Sequence, residues 1–285
     1  MLARTRFAEA LPPDRLVFEL VGNLDDLPSR VDLAIVSTGA GPRRSIVEAL
    51  VAGREISALL LEKFLFQKLE DYPAVGSLLA SKGIPTFVNT PRRAWPAYRA
   101  LAEEFAGDGV MSISVELNRT NGLATNAIHF IDLAAFLTGA KGGFECDGGR
   151  LIPFEEVSRH VGAVEFGGVM TAFSSRGDFL SIRGRTESAS PHFISITSNS
   201  RRAVIHEIAQ QAFIADMASG FSPQMREFPI VRQSSLTGDL AAAILDRGSS
   251  PLPSYNESAN LHLQCLRAFL TALGGRGDSD IVSVT

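Results

Sequence analysis

VDLAIVSTGAGPRRSIVEALVAGREISALLLEK, residues 31–63, decides the fold. It opens on VDLAIVS (31–37), a short and nearly continuous apolar run. Such runs form strands buried on both faces, as in parallel sheets. A Thr-Gly-Ala-Gly-Pro turn (38–42) follows, and the spacing of RRSIVEALVAG (43–53) predicts a helix with Gly53 as its C-cap. ISALLLEK (56–63) reads as a second buried strand. Working outward, a helix is predicted over 68–81, with Leu69, Val75, Leu78 and Leu79 apolar and Lys82-Gly83 as its stop. IPTFVN (84–89) reads as a third strand, and a helix follows over 94–105. Strand alternating with helix marks a parallel α/β sheet with right-handed crossovers. Upstream, RLVFELV (15–21) reads as one more strand.

The pattern changes near Gly107-Asp108-Gly109. VMSISVEL (110–117) alternates partly and reads as a strand, and residues 123–138 are helical in pattern. From about 161 onward come GAVEFGGVMTAFSS, DFLSIRGRT, HFISITSN and RRAVIHEI, separated by polar or glycine-containing turns. They predict an antiparallel meander with one face packed and one face open. The last segment, SYNESANLHLQCLRAFLTAL (254–273), is an amphipathic helix capped by Ser254 or Asn256, with Leu261, Cys265, Leu266 and Phe269 as its stripe. The expected fold class is therefore α/β followed by α+β. A parallel-sheet domain spans 1–107, and an antiparallel-sheet domain spans 108–285.

Composition narrows the function. Hydrophobic residues make up 45% of the 285 and charged residues 20%, enough for a buried core. The net charge of −4 argues against a nucleic-acid partner, which calls for a basic face. No apolar run approaches the length of a membrane span, and the N-terminus has no apolar signal core. Two cysteines, Cys146 and Cys265, give neither a disulfide framework nor metal-ligand spacing, so a reducing cytoplasm and no metal are expected.

Three groups carry possible chemistry. Glu62-Lys63 ends the second buried strand, and ligands of open α/β sheets sit at the carboxyl ends of strands. A lysine there can polarise or protonate an oxygen, although a strand-end Glu–Lys pair is more often simply solvated. His129 and Asp132 stand three apart in the apolar run TNAIHFID (125–132), on one helix face. The histidine can serve as general acid or base, with the carboxylate holding it or a substrate hydroxyl; a core histidine satisfied by its neighbour is the alternative. VNTPRR (88–93) brings Asn89, Arg92 and Arg93 to the third strand end, placed for a cofactor amide or an anionic substrate, or as polar dressing of a helix start. The other histidines show no partner pattern and read as surface or structural.

VDLAIVSTGAGPRRSIVEALVAGREISALLLEK, IPTFVNTPRR and NAIHFIDLAAFLTG together resemble the glucose–fructose oxidoreductase, inositol dehydrogenase and rhizopine-catabolism (Gfo/Idh/MocA) family. Ser37-Thr38-Gly39 is similar to that family's A-T-P turn, and Glu62-Lys63-Phe64 to its E-K-P motif, with Phe in place of Pro. Ala127, His129 and Asp132 match its Gly/Ala-x-His-x-x-Asp helix motif, and LPSYNESANLHL (252–263) resembles its closing segment. The resemblance implies a Rossmann domain joined to an antiparallel-sheet substrate domain, with hydride moving between NAD or NADP and a sugar or cyclitol carbon. It implies Lys63 on the reacting hydroxyl, His129 as proton carrier and Asp132 as a further catalytic residue. Ser37, Thr38, Gly39, Glu62 and Asn89 would line the nicotinamide, and Lys63, Arg92, Thr125 and Asp132 the substrate. The form of the helix motif points toward surface-polysaccharide or acidic-sugar metabolism, and the family likeness toward a homo-oligomer through the open sheet face.

Two departures stand against this. The family often has an acid four residues before the histidine, where this chain has Thr125. No G-x-G-x-x-G follows a first strand, so the backbone that would approach a pyrophosphate at a helix N-terminus is missing from the sequence. A start further upstream, a shortened chain or a partner completing the sheet would each account for it. The alternative function is a non-catalytic sugar-binding or scaffold protein that has lost dinucleotide binding.

Overall fold

Leu59, Leu60 and Leu61, all buried, form the centre of a small parallel sheet. The computed structural model describes residues 19–118, 120–155, 163–184, 187–274 and 281–284. The first apolar run forms β1 (Arg30–Val31) and β2 (Ala34–Val36), and the second forms β3 (Glu55–Ile56) and β4 (Leu59–Glu62). β1 pairs with β3, and β2, β4 and β5 (Thr86–Asn89) pair in that order, all parallel. Helix α1 (Ala40–Gly53) joins β2 to β3, and α2 (Asp71–Lys82) joins β4 to β5, stopping at Gly83 with φ 62°. β5 starts after Pro85, which has no N–H to give to a ladder. The helix expected over 94–105 divides into a 3₁₀ turn at Pro91–Ala94 and α3 (Pro96–Phe105), because each proline starts a helical segment. Of RLVFELV, residues 15–18 lie outside the described residues and 19–21 form no strand.

The second domain is an eight-stranded sheet. Its strands are β6 (Ser112–Glu116), β7 (Phe144–Glu155), β8 (Val164–Ser174), β9 (Phe179–Gly184), β10 (Phe193–Thr197), β11 (Arg201–His206), β12 (Gln211–Asp216) and β13 (Gln224–Glu227). They run in the order β13-β12-β11-β10-β6-β9-β8-β7. The expected pure antiparallel meander is corrected here: β6 inserts between β10 and β9 and lies parallel to β9. The chain leaves β6 through α4 (Leu123–Thr138) rather than through a hairpin, which frees it from antiparallel pairing with the strand beside it. β7, β12, β13 and α5 (Gln233–Arg247) are additions to the predicted elements.

Helix α4 packs on β8 and β9, and α6 (Tyr255–Leu273) packs on β7. Ser254 caps α6 in a reciprocal pair with Glu257, and Leu261, Cys265, Leu266 and Phe269 are buried along it as the stripe predicts. α6 lies so close to β7 that a Cβ on Gly148 would overlap the Ala268 carbonyl oxygen. The two domains share one core. Just before α6 the chain runs along the outer edge of β5, where Val88 N donates to Pro253 O at 3.1 Å. Residues 281–284 run between the domains: Val282 N donates to Gln67 O at 3.0 Å and Val164 N to Ser283 O at 2.9 Å. Among the described residues no helix is long and apolar enough to cross a membrane.

Candidate active site

The carboxyl end of β4 reaches the first turn of α4 through Lys63. Glu62 and Asn89 are register partners on β4 and β5, and the Asn89 amide donates to the Glu62 carboxylate. Asn89 Oδ1 in turn accepts from Gln233 Nε2 at 3.3 Å, so α5 closes this side. After β2, the Thr38 carbonyl accepts from Arg43, whose guanidinium is buried and also donates to the carbonyls of Phe64 and, at 2.9 Å, of Leu65. One arginine at the start of α1 thus ties the Ser37-Thr38-Gly39 turn to the loop that follows Lys63. Thr38 Oγ1 is buried with no hydrogen-bond partner. The Lys63–Phe64 peptide is cis.

Lys63 leaves its own domain and reaches α4, where Nζ donates to the Thr125 carbonyl at 2.9 Å. Burial lowers its pKa; Glu62 and Glu165 oppose that, while Arg43 and Arg92 add to it. His129 lies one helical turn after Thr125, and its Nδ1 is buried without a partner. Burial and the nearby Lys63, Arg92 and His262 push its pKa well below the ordinary histidine value, so the ring is neutral at pH 7. His262, on α6, is fully buried, and burial lowers it to about 3. Its Nδ1 faces the Ser258 carbonyl at 2.8 Å, which requires the proton on that nitrogen, and Phe64 packs its edge against the ring at 4.7 Å.

Asp132 does not hold His129. It receives a two-pronged pair from Arg93, Nε at 2.9 Å and Nη2 at 2.7 Å. Burial nonetheless pushes it up to about 6 against the arginine's pull. Arg92 is likewise engaged: Nε and Nη2 each reach Glu207 at 2.8 Å, and its guanidinium lies 4.4 Å over the Phe130 ring. Glu207 also accepts from Tyr98 at 2.5 Å and contacts His192 Nε2 at 2.9 Å. Burial alone would raise Glu207, but Arg92 and these donors hold it well below the usual carboxylate range. The structure therefore brings together Lys63, Thr125 and His129 on one side and Glu62 and Asn89 on the other. It gives Arg92 and Asp132 ion-pair partners of their own. Sequence reasoning missed Arg43, Glu165, Glu207, Gln233 and His262; no local spacing ties any of them to the motif residues.

No protein-family model matches the chain, and no curated protein does. Solved structures do. The chain is similar to UDP-N-acetylglucosamine 3-dehydrogenase GnnA from Acidithiobacillus ferrooxidans, with TM-score 0.69 and 14% identity over 88% of this chain and 81% of that one. An oxidoreductase domain protein from Kribbella flavida aligns with TM-score 0.67 and 17% identity over 86% and 79%. An oxidoreductase from Agrobacterium radiobacter, in complex with NAD+, L-tartaric acid and magnesium, aligns with TM-score 0.64 and 14% identity over 86% and 79%. The fold is that of these oxidoreductases. A parallel-sheet domain followed by a larger, largely antiparallel sheet is also what the resemblance to Gfo/Idh/MocA oxidoreductases implies.

A nicotinamide cofactor fits the described residues at one end only. Glu62, Asn89 and the unpartnered Thr38 hydroxyl offer polar atoms at the strand ends, and a Cβ on Gly39 would meet nothing within 4 Å. Among the described residues nothing supplies a glycine-rich phosphate cradle.

Proposed function

We propose that this chain is an NAD(P)-dependent oxidoreductase acting on the hydroxyl of a sugar or sugar-derived substrate. The observation that carries the reading is the bond from Lys63 to the Thr125 carbonyl across the domain boundary, one helical turn before the neutral His129 and at the carboxyl end of a parallel strand. An ammonium has three donors. Lys63 gives one to Thr125 O, which leaves two for a substrate oxygen. A neutral His129 can take the hydroxyl proton, and Lys63 offsets the negative charge that develops on that oxygen. A bound nicotinamide supplies the hydride acceptor. Ser37, Thr38, Gly39, Glu62 and Asn89 are the residues proposed to line it, and the similarity to a UDP-sugar dehydrogenase supports a sugar-like substrate. Asp132, through Arg93, and Arg92, through Glu207, hold the wall behind the substrate.

The test is a calorimetric titration of NADH and NADPH into the 285-residue chain, followed by a screen of sugars and nucleotide sugars. Micromolar binding of either cofactor is the expected result. No binding at millimolar cofactor would sink the dehydrogenase reading and turn attention to sugar binding alone.

A further inference from the structure

The first turn of α4 contains no acid, and its N-cap is Gly122, which has no side chain to cap with. The first N–H groups of a helix need acceptors from elsewhere. Glu165, on β8 and 2% exposed, provides them. Its Oε2 accepts from Ala124 N at 3.1 Å, and its Oε1 accepts from Thr125 N at 2.9 Å and from the Thr125 hydroxyl at 3.3 Å. Position 122 is a glycine for the same reason, since a Cβ there would overlap the Glu165 carboxylate. From the opposite side Lys63 Nζ donates to the Thr125 carbonyl at 2.9 Å. Thr125 is thus gripped at both ends, its N–H by a buried carboxylate and its C=O by the lysine.

We propose that Glu165 is a positioning residue of the Lys63–His129 site, supplying from β8 the acid that α4 lacks at Thr125. By fixing the first turn of α4 it fixes the carbonyl that holds Lys63. Its negative charge sits where a helix N-terminus favours an anion. It is also one of two carboxylates, with Glu62, that oppose the lowering of the Lys63 pKa by burial, Arg43 and Arg92. The lysine charge also adds, behind burial, to the lowering of the His129 pKa. The proposal deepens the oxidoreductase reading and rests on it for its purpose, but it can be tested without cofactor or substrate.

The chain has four lysines, Lys63, Lys68, Lys82 and Lys141. Competitive acetylation with acetic anhydride across alkaline pH, read by peptide mass spectrometry, gives a titration midpoint for each. In Glu165→Gln the Lys63 midpoint should fall, with a several-fold rise in its labelling at pH 8, since one unit is tenfold in the neutral fraction. The other three lysines should not move. The double variant Thr125→Asp/Glu165→Gln puts the acid back on the helix and should raise the midpoint again. An unchanged Lys63 midpoint in a folded Glu165→Gln would overturn the proposal and leave Glu165 a helix cap alone. A shift shared by all four lysines reports general loosening; the double variant then decides, and failure to recover there also overturns it. Failure of the oxidoreductase reading is seen separately, in the cofactor titration.

Discussion

Lys63 and His129 illustrate how one residue's surroundings fix what it can do. A lysine whose ammonium donates to a helix carbonyl is neither a free surface charge nor a core group. Lys63→Ala is expected to cut turnover by about a hundredfold or more, on the scale of a lost acid–base or charge-stabilising group, with a much smaller change in melting temperature. Equal loss of both would make the lysine structural. His129 is neutral above its lowered pKa, so its contribution to turnover should be flat near neutral pH and lost on the acid side. His129→Ala should remove that acid limb as well as most of the rate, and an unchanged pH profile would exclude the role. His262 gives a stability prediction with a definite sign. Its folded pKa is about 3 against an ordinary 6.5, so the unfolded chain binds the proton first. The contribution of its neutral form is complete above pH 6.5 and is lost as pH falls from there toward 3, by at most about 1.4 kcal/mol per pH unit. Asp132, raised to about 6, works in the opposite sense between its unfolded value of 3.8 and 6. Urea unfolding at pH 7 and pH 5 should show the loss, to which His129 contributes in the same sense, and His262→Phe should reduce it; an equal slope in the variant would rule His262 out. Lys63 and His129 were legible because each ends or repeats a local pattern. Glu165 was not, because it stands 40 residues from Thr125 and meets it only through the packing of β8 on α4.

At the scale of elements, the same contrast holds. α2, α4 and α6 were readable from stop glycines, a capping serine and an apolar stripe, whereas α1 was readable from its apolar spacing alone: Gly53, expected as its C-cap, is its last helical residue and Arg54 is the cap. β7 was hidden by Gly148-Gly149, where its register shifts between Asp147 and Arg150, and by Pro153. These residues read as turns until α6 is seen pressing on the strand. The order of the sheet was beyond the sequence, since β6 pairs with β9 and β10 across long stretches of intervening chain. The 3₁₀ turn before α3 carries one of the contacts that join the domains: Arg92 on the turn, Tyr98 on α3 and Glu207 just past β11. All three are strongly buried, so removing one charge leaves another without water or a partner. Glu207→Gln is expected to cost roughly 3–5 kcal/mol, the scale for breaking one side of a buried ion pair. A urea titration reads it directly. A change below about 1 kcal/mol, the range of exposed pairs, would mean that the network carries little of the domain contact.

At the scale of the whole molecule, one face of the large sheet is covered by α4 and α6, and the other presents Phe154, Phe173 and Phe213, each at least 40% exposed. The registers place Phe213 beside Val204, Val204 beside Ser195 and Ser195 beside Ser114, so small and apolar side chains form a row across four strands. Exposed apolar surface of this extent on a sheet face is the kind that a second copy covers, and a stable interface needs about 800 Å² from each partner. The row runs from β12, the second strand from one edge, to β6, and Arg202 on β11 and Arg183 on β9 flank it, which suits an apolar row with a charged rim. The expected outcome is a dimer or larger assembly of 30.6 kDa chains in sedimentation equilibrium at micromolar concentration. Phe213→Glu places a charge in that row and should shift the mass to a single chain. The variant's melting temperature should be set by chain concentration no longer, because association no longer adds to stability. A wild-type chain that sediments as a monomer up to about 100 μM would sink this reading, and the exposed phenylalanines would then await a different partner.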